Sequence, residues 1–324
     1  MTGFLRRQWF LSALILVVAV TVIDATETVP DAGMWLRDHG APSAVIFAIF
    51  LMSGGMLDAR QLAAGLREVK GTAAALGVIF GLGPAVGALF GLTPLPDGIK
   101  IGIFLVAAMP TTLSSGVVMT GAAGGNMAHA LVITVIANSL AVVVVPIVLP
   151  MLLPLAGASA DVSIDRFAMM ARLAMLVLLP LMLGLVAKWR FGERLDRWGK
   201  TMQRACQGLI VVMVWIGVAG SRRTLLGGAG DLGLILGVTA GFHALLLAGA
   251  WAAARVLSMG PGRRESLIFM GAQKTLTLTL ILQVSLFPAY GQALVVIVVH
   301  HIAHLMIDGY LVGRLKLTSK KEKP

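Results

Sequence analysis

Apolar runs of about twenty residues recur along almost the whole chain, and they constrain its fold more than any other feature. A helix rising ~1.5 Å per residue needs about twenty residues to cross a ~30 Å hydrocarbon layer. With 58% hydrophobic and 13% charged residues, the 324-residue chain also lacks the charge to cover a soluble surface. The expectation is an all-α membrane protein of about ten spans. Their approximate placements are 8–24, 41–57, 71–92, 98–121, 126–153, 166–188, 203–220, 231–256, 264–287 and 290–313. The first run follows a basic flank, like a signal peptide, but reads as an uncleaved first helix because so many spans follow it. The amphipathic segment 58–70 is expected to lie at the interface.

The net charge of +11 does not imply a nucleic-acid partner, because most Lys and Arg fall in short loops between apolar runs. Nineteen of them fall on one side of the ten-span arrangement, including Arg6, Arg7 and the tail residue Lys323, and five on the other. The positive side faces the cytoplasm, so both termini are expected there, in a bacterial inner membrane. The basic tail anchors to the lipid bilayer and meets anionic headgroups. Cys206 is the single cysteine, so no intrachain disulfide forms. It is placed outside the region discussed next, against thiolate chemistry such as arsenite transport.

Two spans carry polar interruptions near their middles. The fourth contains MPTTLSSG (109–116) and the ninth GAQKTLT (271–277), centred 161 residues apart. Five spans separate equivalent positions, and an odd number inverts topology, which points to an inverted-repeat transporter. The halves are 1–153 and 154–324. Pro110 lacks an N–H and should break the fourth helix; Thr111, Thr112, Ser114 and Ser115 follow it. Freed carbonyls and hydroxyls there suit a sodium ion or an anionic headgroup, unless the hydroxyls merely bond back to their own helix.

Asn126 suits the cap of the fifth helix, after glycines that end the fourth. Thr134 and Asn138 share a face of that helix, and Asn138 is either an interhelical clamp or a site residue. Lys274 sits far from both span ends, with Gln273 and Thr275 beside it. It snorkels, contacts carbonyls of the broken helices, or works as a tethered cation, proton carrier or anion-binding group. In the functional reading, Lys274→Ala abolishes transport with folding intact. His300, His304 and Asp308 fall at i, i+4 and i+8 on the tenth helix. Packing is favoured there over a metal centre, with Asp308 near the cytoplasmic end and His301 most central.

At these residues the chain resembles the bile acid:sodium symporter superfamily. The segments MPTTLSSGVVMTGAAGGN (109–126) and QKTLTL (273–278), with His301 and His304, are similar to its divergent branch, which includes the orphan seventh bile-acid solute carrier. The resemblance implies two inverted five-helix repeats, core and panel domains, and discontinuous helices four and nine that cross at the substrate site. It implies alternating access, with Ser115, Thr134 and Gln273 matching ion-site positions. Phe269 stands where sodium-coupled relatives have a glutamate, and Lys274 where they have an uncharged residue.

The expected activity is secondary transport of a small organic anion, without enzymatic chemistry. No cofactor or metal is expected; Na+ or H+ would be the coupling ion, or Lys274 would replace it. The competing readings are a non-transporting sensor and a metal-dependent intramembrane enzyme.

Overall fold

The computed structural model describes residues 9–157, 164–227 and 232–321, and among them every regular element is helical. Arg6, Arg7 and Lys323 lie outside the described residues. Helices α1 (Trp9–Ile23), α2 (Thr28–Asp38), α3 (Ala41–Met56), α4 (Ala59–Gly65) and α5 (Val69–Gly91) come first. The chain continues through α6 (Asp97–Ala108), α7 (Ser115–Ala122), α8 (Met127–Leu152), α9 (Arg166–Phe191) and α10 (Glu193–Gly227). It ends with α11 (Leu232–Val256), α12 (Arg263–Ala272), α13 (Leu276–Leu286) and α14 (Gly291–Lys321).

Among the described residues, seven helical segments are long and apolar enough to cross a membrane, or eight if α1 and α2, bent by 109°, count as one. The other two expected spans coincide with α3, only 16 residues long, and with the interrupted pair α6 and α7. The bend after α1 is built by Asp24, whose carboxylate accepts from the Thr26 hydroxyl, Thr26 N and Val29 N. The Thr26 hydroxyl foremost, then the two amides, hold this carboxyl below its ordinary range. Arg222 of α10 ties the same turn to the bundle through the carbonyls of Val22 and Asp24.

Prolines shape the helices that matter for the site. In α5, Gly83 N donates to Val78 O, five residues back, which opens a π-turn over Val78–Leu82. Pro84 follows and has no N–H. The carbonyl of Ile79 therefore lacks its usual backbone donor. At Pro110 the helix stops altogether, because α6 ends at Ala108 and the chain runs unwound to Ser114. Segment 263–286, interrupted at Gln273–Thr275, has its whole apolar stretch enclosed by protein. Non-helical backbone at membrane depth requires that enclosure.

Small residues let α3 and α9 approach closely. A β-carbon on Gly54 would overlap the Leu181 carbonyl, and one on Gly184 would overlap that of Leu51. Backbone cannot yield as a flexible side chain would. Gly184→Val is thus expected to destabilise the protein by about 1–3 kcal/mol or more, read as a lower thermal midpoint in detergent. An unchanged midpoint would show that the two helices can separate freely.

Candidate functional site

The two helix breaks meet. Thr275 N donates to the carbonyl of Pro110 at 2.9 Å, joining unwound backbone from both. Lys274 occupies the side of this junction where α6 and α12 end. Its Nζ donates to the carbonyls of Ile79 (2.6 Å), Ala107 (3.0 Å) and Met109 (2.9 Å). Each acceptor has a local cause: the π-turn before Pro84 frees the first, and the break at Pro110 frees the other two. An ammonium has three N–H donors, so this geometry uses all of them. The side chain is 1% exposed and does not line the main cavity.

Gln273 is the junction's hydrogen-bond hub. Its Oε1 accepts from the hydroxyls of Thr112 (2.8 Å) and Ser115 (3.0 Å). Thr112 and Gln273 are 161 residues apart in sequence. Nε2 of Gln273 donates to Asp308 Oδ2 of α14 at 2.7 Å. Thr112 Oγ1 also accepts from Gly116 N, so it fastens the start of α7. Buried α8 side chains hold the first break: Thr134 donates to Thr112 O, and Asn138 to Thr111 O, each at 3.3 Å. These contacts match the clamp alternative for Asn138. Asn126 lies apart, capping α8 by accepting from His129 N. Phe269 is enclosed in a small apolar cluster with Ala123 and Leu315.

The opposite side of the junction opens into a cavity of about 710 Å³. Thr112, Ser114 and Ser115 of the first break line it, with Thr275 and Thr277 of the second and His301 of α14. These break residues sit at the N-termini of α7 and α13. The N-cap positions Ser114 and Thr275 make no side-chain cap hydrogen bond. Helix N-termini carry unpaired N–H groups and partial positive charge, and both favour anions. The junction thus segregates charge: half-helix C-termini surround the lysine, and half-helix N-termini face the cavity. Cys206 lines this cavity as well, 13 residues inside α10, which corrects its placement outside the site.

Asp308 is the largest departure from the sequence reading. It lies towards the end of the apolar span of α14, which reaches Leu315, yet it is completely buried, with 0% exposure. Besides Gln273 it meets His243 Nε2 of α11 at 2.9 Å, a residue the sequence reading passed over although it stands in an apolar run. His304 lies one turn before it, with Nδ1 3.9 Å away. His304 Nε2 is 2.9 Å from His301 Nδ1. Among the described residues, no group of three or more His, Cys, Asp or Glu is arranged to hold a metal ion.

Comparison with known proteins places the chain in a family. The sequence model of the SBF-like CPA transporter family matches residues 8–317. The chain belongs to that family. It is 30% identical to the probable sodium/metabolite cotransporter BASS4, chloroplastic, of Oryza sativa subsp. indica, over 97% of this chain and 76% of the relative. The Arabidopsis thaliana protein of the same name is 30% identical over 70% of this chain and 56% of its own length. Sodium/bile acid cotransporter 7-A of Xenopus laevis is 24% identical over 60% of this chain and 56% of that protein. The protein is an integral membrane transporter of the bile acid:sodium symporter-like group.

Proposed function

We propose that the protein is a secondary transporter for a small organic anion, working by alternating access at the junction of the two breaks. One observation carries this reading: two half-helix N-termini, whose N-cap residues Ser114 and Thr275 make no side-chain cap hydrogen bond, open onto a single cavity of about 710 Å³ lined by hydroxyls. A carboxylate or similar headgroup there would accept from the N-terminal amides and from Ser114, Ser115, Thr275 and Thr277. The apolar remainder of the lining, including Phe10 and Ile210, suits a partly hydrophobic body.

The same reading takes the chain as ten spans in two inverted five-helix repeats, 1–153 and 154–324, with both termini cytoplasmic. A core domain containing both interrupted helices would move against a panel. Pro110 and Thr111 shape the first break, while Thr112, Thr134, Asn138 and Gln273 hold the junction together. Lys274 places its amine where three carbonyls converge and so takes the place a free sodium ion would otherwise fill at that point.

Flux into proteoliposomes tests the proposal. Labelled mono- and dicarboxylates, sulfonates and phosphate esters would be offered with and without a sodium gradient. At least one class should accumulate above empty vesicles, and Ser115→Ala should lower its initial rate severalfold through loss of a cavity hydroxyl. Binding of these anions without flux would overturn the carrier reading in favour of a sensor.

A further inference from the structure

The cluster around Asp308 has a consequence that the anion site alone does not explain. A carboxylate accepts hydrogen bonds, so Gln273 Nε2 and His243 Nε2 are the donors to it. Neither donor carries a charge while His243 is neutral. The ion-pair partners of Asp308 among the described residues are His243 and His304 alone. Its burial is complete, and an uncompensated charge at that depth is costly. Among these partners, an imidazole that has taken up a proton supplies the charge that neutralises this carboxylate.

The surroundings bear this out from each side. From α11 comes His243, and from the second break the uncharged Gln273. On its own helix stand His304, His301 and His300, whose ring centroid lies 5.4 Å from that of His304. Cys206 and His301 both line the cavity. Lys274 is turned away onto its three carbonyls, and Arg264 and Glu265 of α12 pair with each other. His304 Nδ1 and His243 Nδ1 are buried without a hydrogen-bond partner among the described residues.

We infer that Asp308, His243 and His304 form a proton-binding site, filled from the cavity through His301, and that this proton is the ion coupled to anion movement. The inference rests on the carrier reading for its coupling half only. In the transfer, one proton from cavity water joins the His301 ring. The His301 Nδ1–H bond breaks as an N–H bond forms at His304 Nε2, across 2.9 Å. His304 becomes an imidazolium with Nδ1–H directed at Asp308, no bond to carbon changes, and the cluster goes from one negative charge to none. Asp308 also holds Gln273, and Gln273 holds the cavity hydroxyls of Thr112 and Ser115. Proton occupancy and the shape of the anion site are thereby joined through one side chain.

The test uses the full chain, labelled with 15N at its six histidines and held in lipid nanodiscs. Imidazole signals would be followed from about pH 9 to about pH 4.5, with exposed His39 as internal control. At least one ring of the cluster should become an imidazolium in that range. Asp308→Asn should weaken its proton affinity at least about tenfold, a shift of about one pH unit, and leave His39 unchanged. If that variant does not fold, His304→Gln should remove the step assigned to His304. Neutral cluster rings throughout, or a titration indifferent to both substitutions, would overturn the site. In proteoliposomes an inside-alkaline gradient should speed anion uptake severalfold, and uptake indifferent to the gradient would overturn the coupling. Intact titration with no flux of any anion would instead count against the carrier reading.

Discussion

Lys274→Met is expected to lower the stability of the folded protein by at least about 3 kcal/mol, since three buried carbonyls each lose a charged donor and such losses cost about 1–3 kcal/mol apiece. Methionine keeps most of the volume, so the effect isolates the ammonium from its packing. Thermal unfolding in detergent reads it directly, and a midpoint equal to that of the unaltered protein would sink the account. The sequence reading expects loss of transport with folding intact. The contacts change that expectation, because the amine also satisfies backbone that Pro84 and Pro110 leave open. Sodium provides a second arm of the experiment. If it restores the midpoint of Lys274→Met and leaves the unaltered protein unmoved, the three carbonyls form a cation cradle whose occupant is normally tethered.

Gln273→Glu is expected to reduce anion flux by about tenfold or more. The change replaces the amide that donates to Asp308 at 2.7 Å with a second carboxylate oxygen. A hydrogen bond to a charged group contributes about 1.5–3 kcal/mol, and two like charges at that separation add repulsion. Thr112 and Ser115 retain their acceptor, so the loss reports the link to Asp308 rather than the cavity wall. Acidification should restore part of the flux, since a protonated carboxyl regains a donor. Flux in Gln273→Glu equal to that of the unaltered protein at neutral pH would show that the Gln273–Asp308 contact is incidental.

Much of this arrangement is legible along the chain. Apolar runs announce the spans; Pro110 announces the first interruption because proline breaks a helix locally, and the polar stretch 271–277 inside an apolar run announces the second. The count of membrane-crossing helices is less legible. Hydropathy reports how much apolar sequence is present and not whether it forms one straight helix, so α3, the bent α1–α2 pair and the divided α6–α7 pair read alike. Asp308 reads as lying near the cytoplasmic end of its span, and neither its complete burial nor its partners on α11 and the second break can be read from that position. His243 carried a signal, a histidine within an apolar run, but its carboxylate partner stands 65 residues away.

By itself the sequence determined a helical membrane protein with a proline break in one span and a matching polar interruption in another, since backbone in hydrocarbon must bond internally and proline cannot. The tertiary structure alone decided which way the junction faces. Acceptors from Ile79, Ala107 and Met109 converge on Lys274 across 165 to 195 residues of chain. Once the half-helix C-termini turn toward that ammonium, the opposite N-termini are left facing the cavity. Attraction between a cation and the negative ends of helices accounts for this division, and it depends on distances in space that no local spacing encodes.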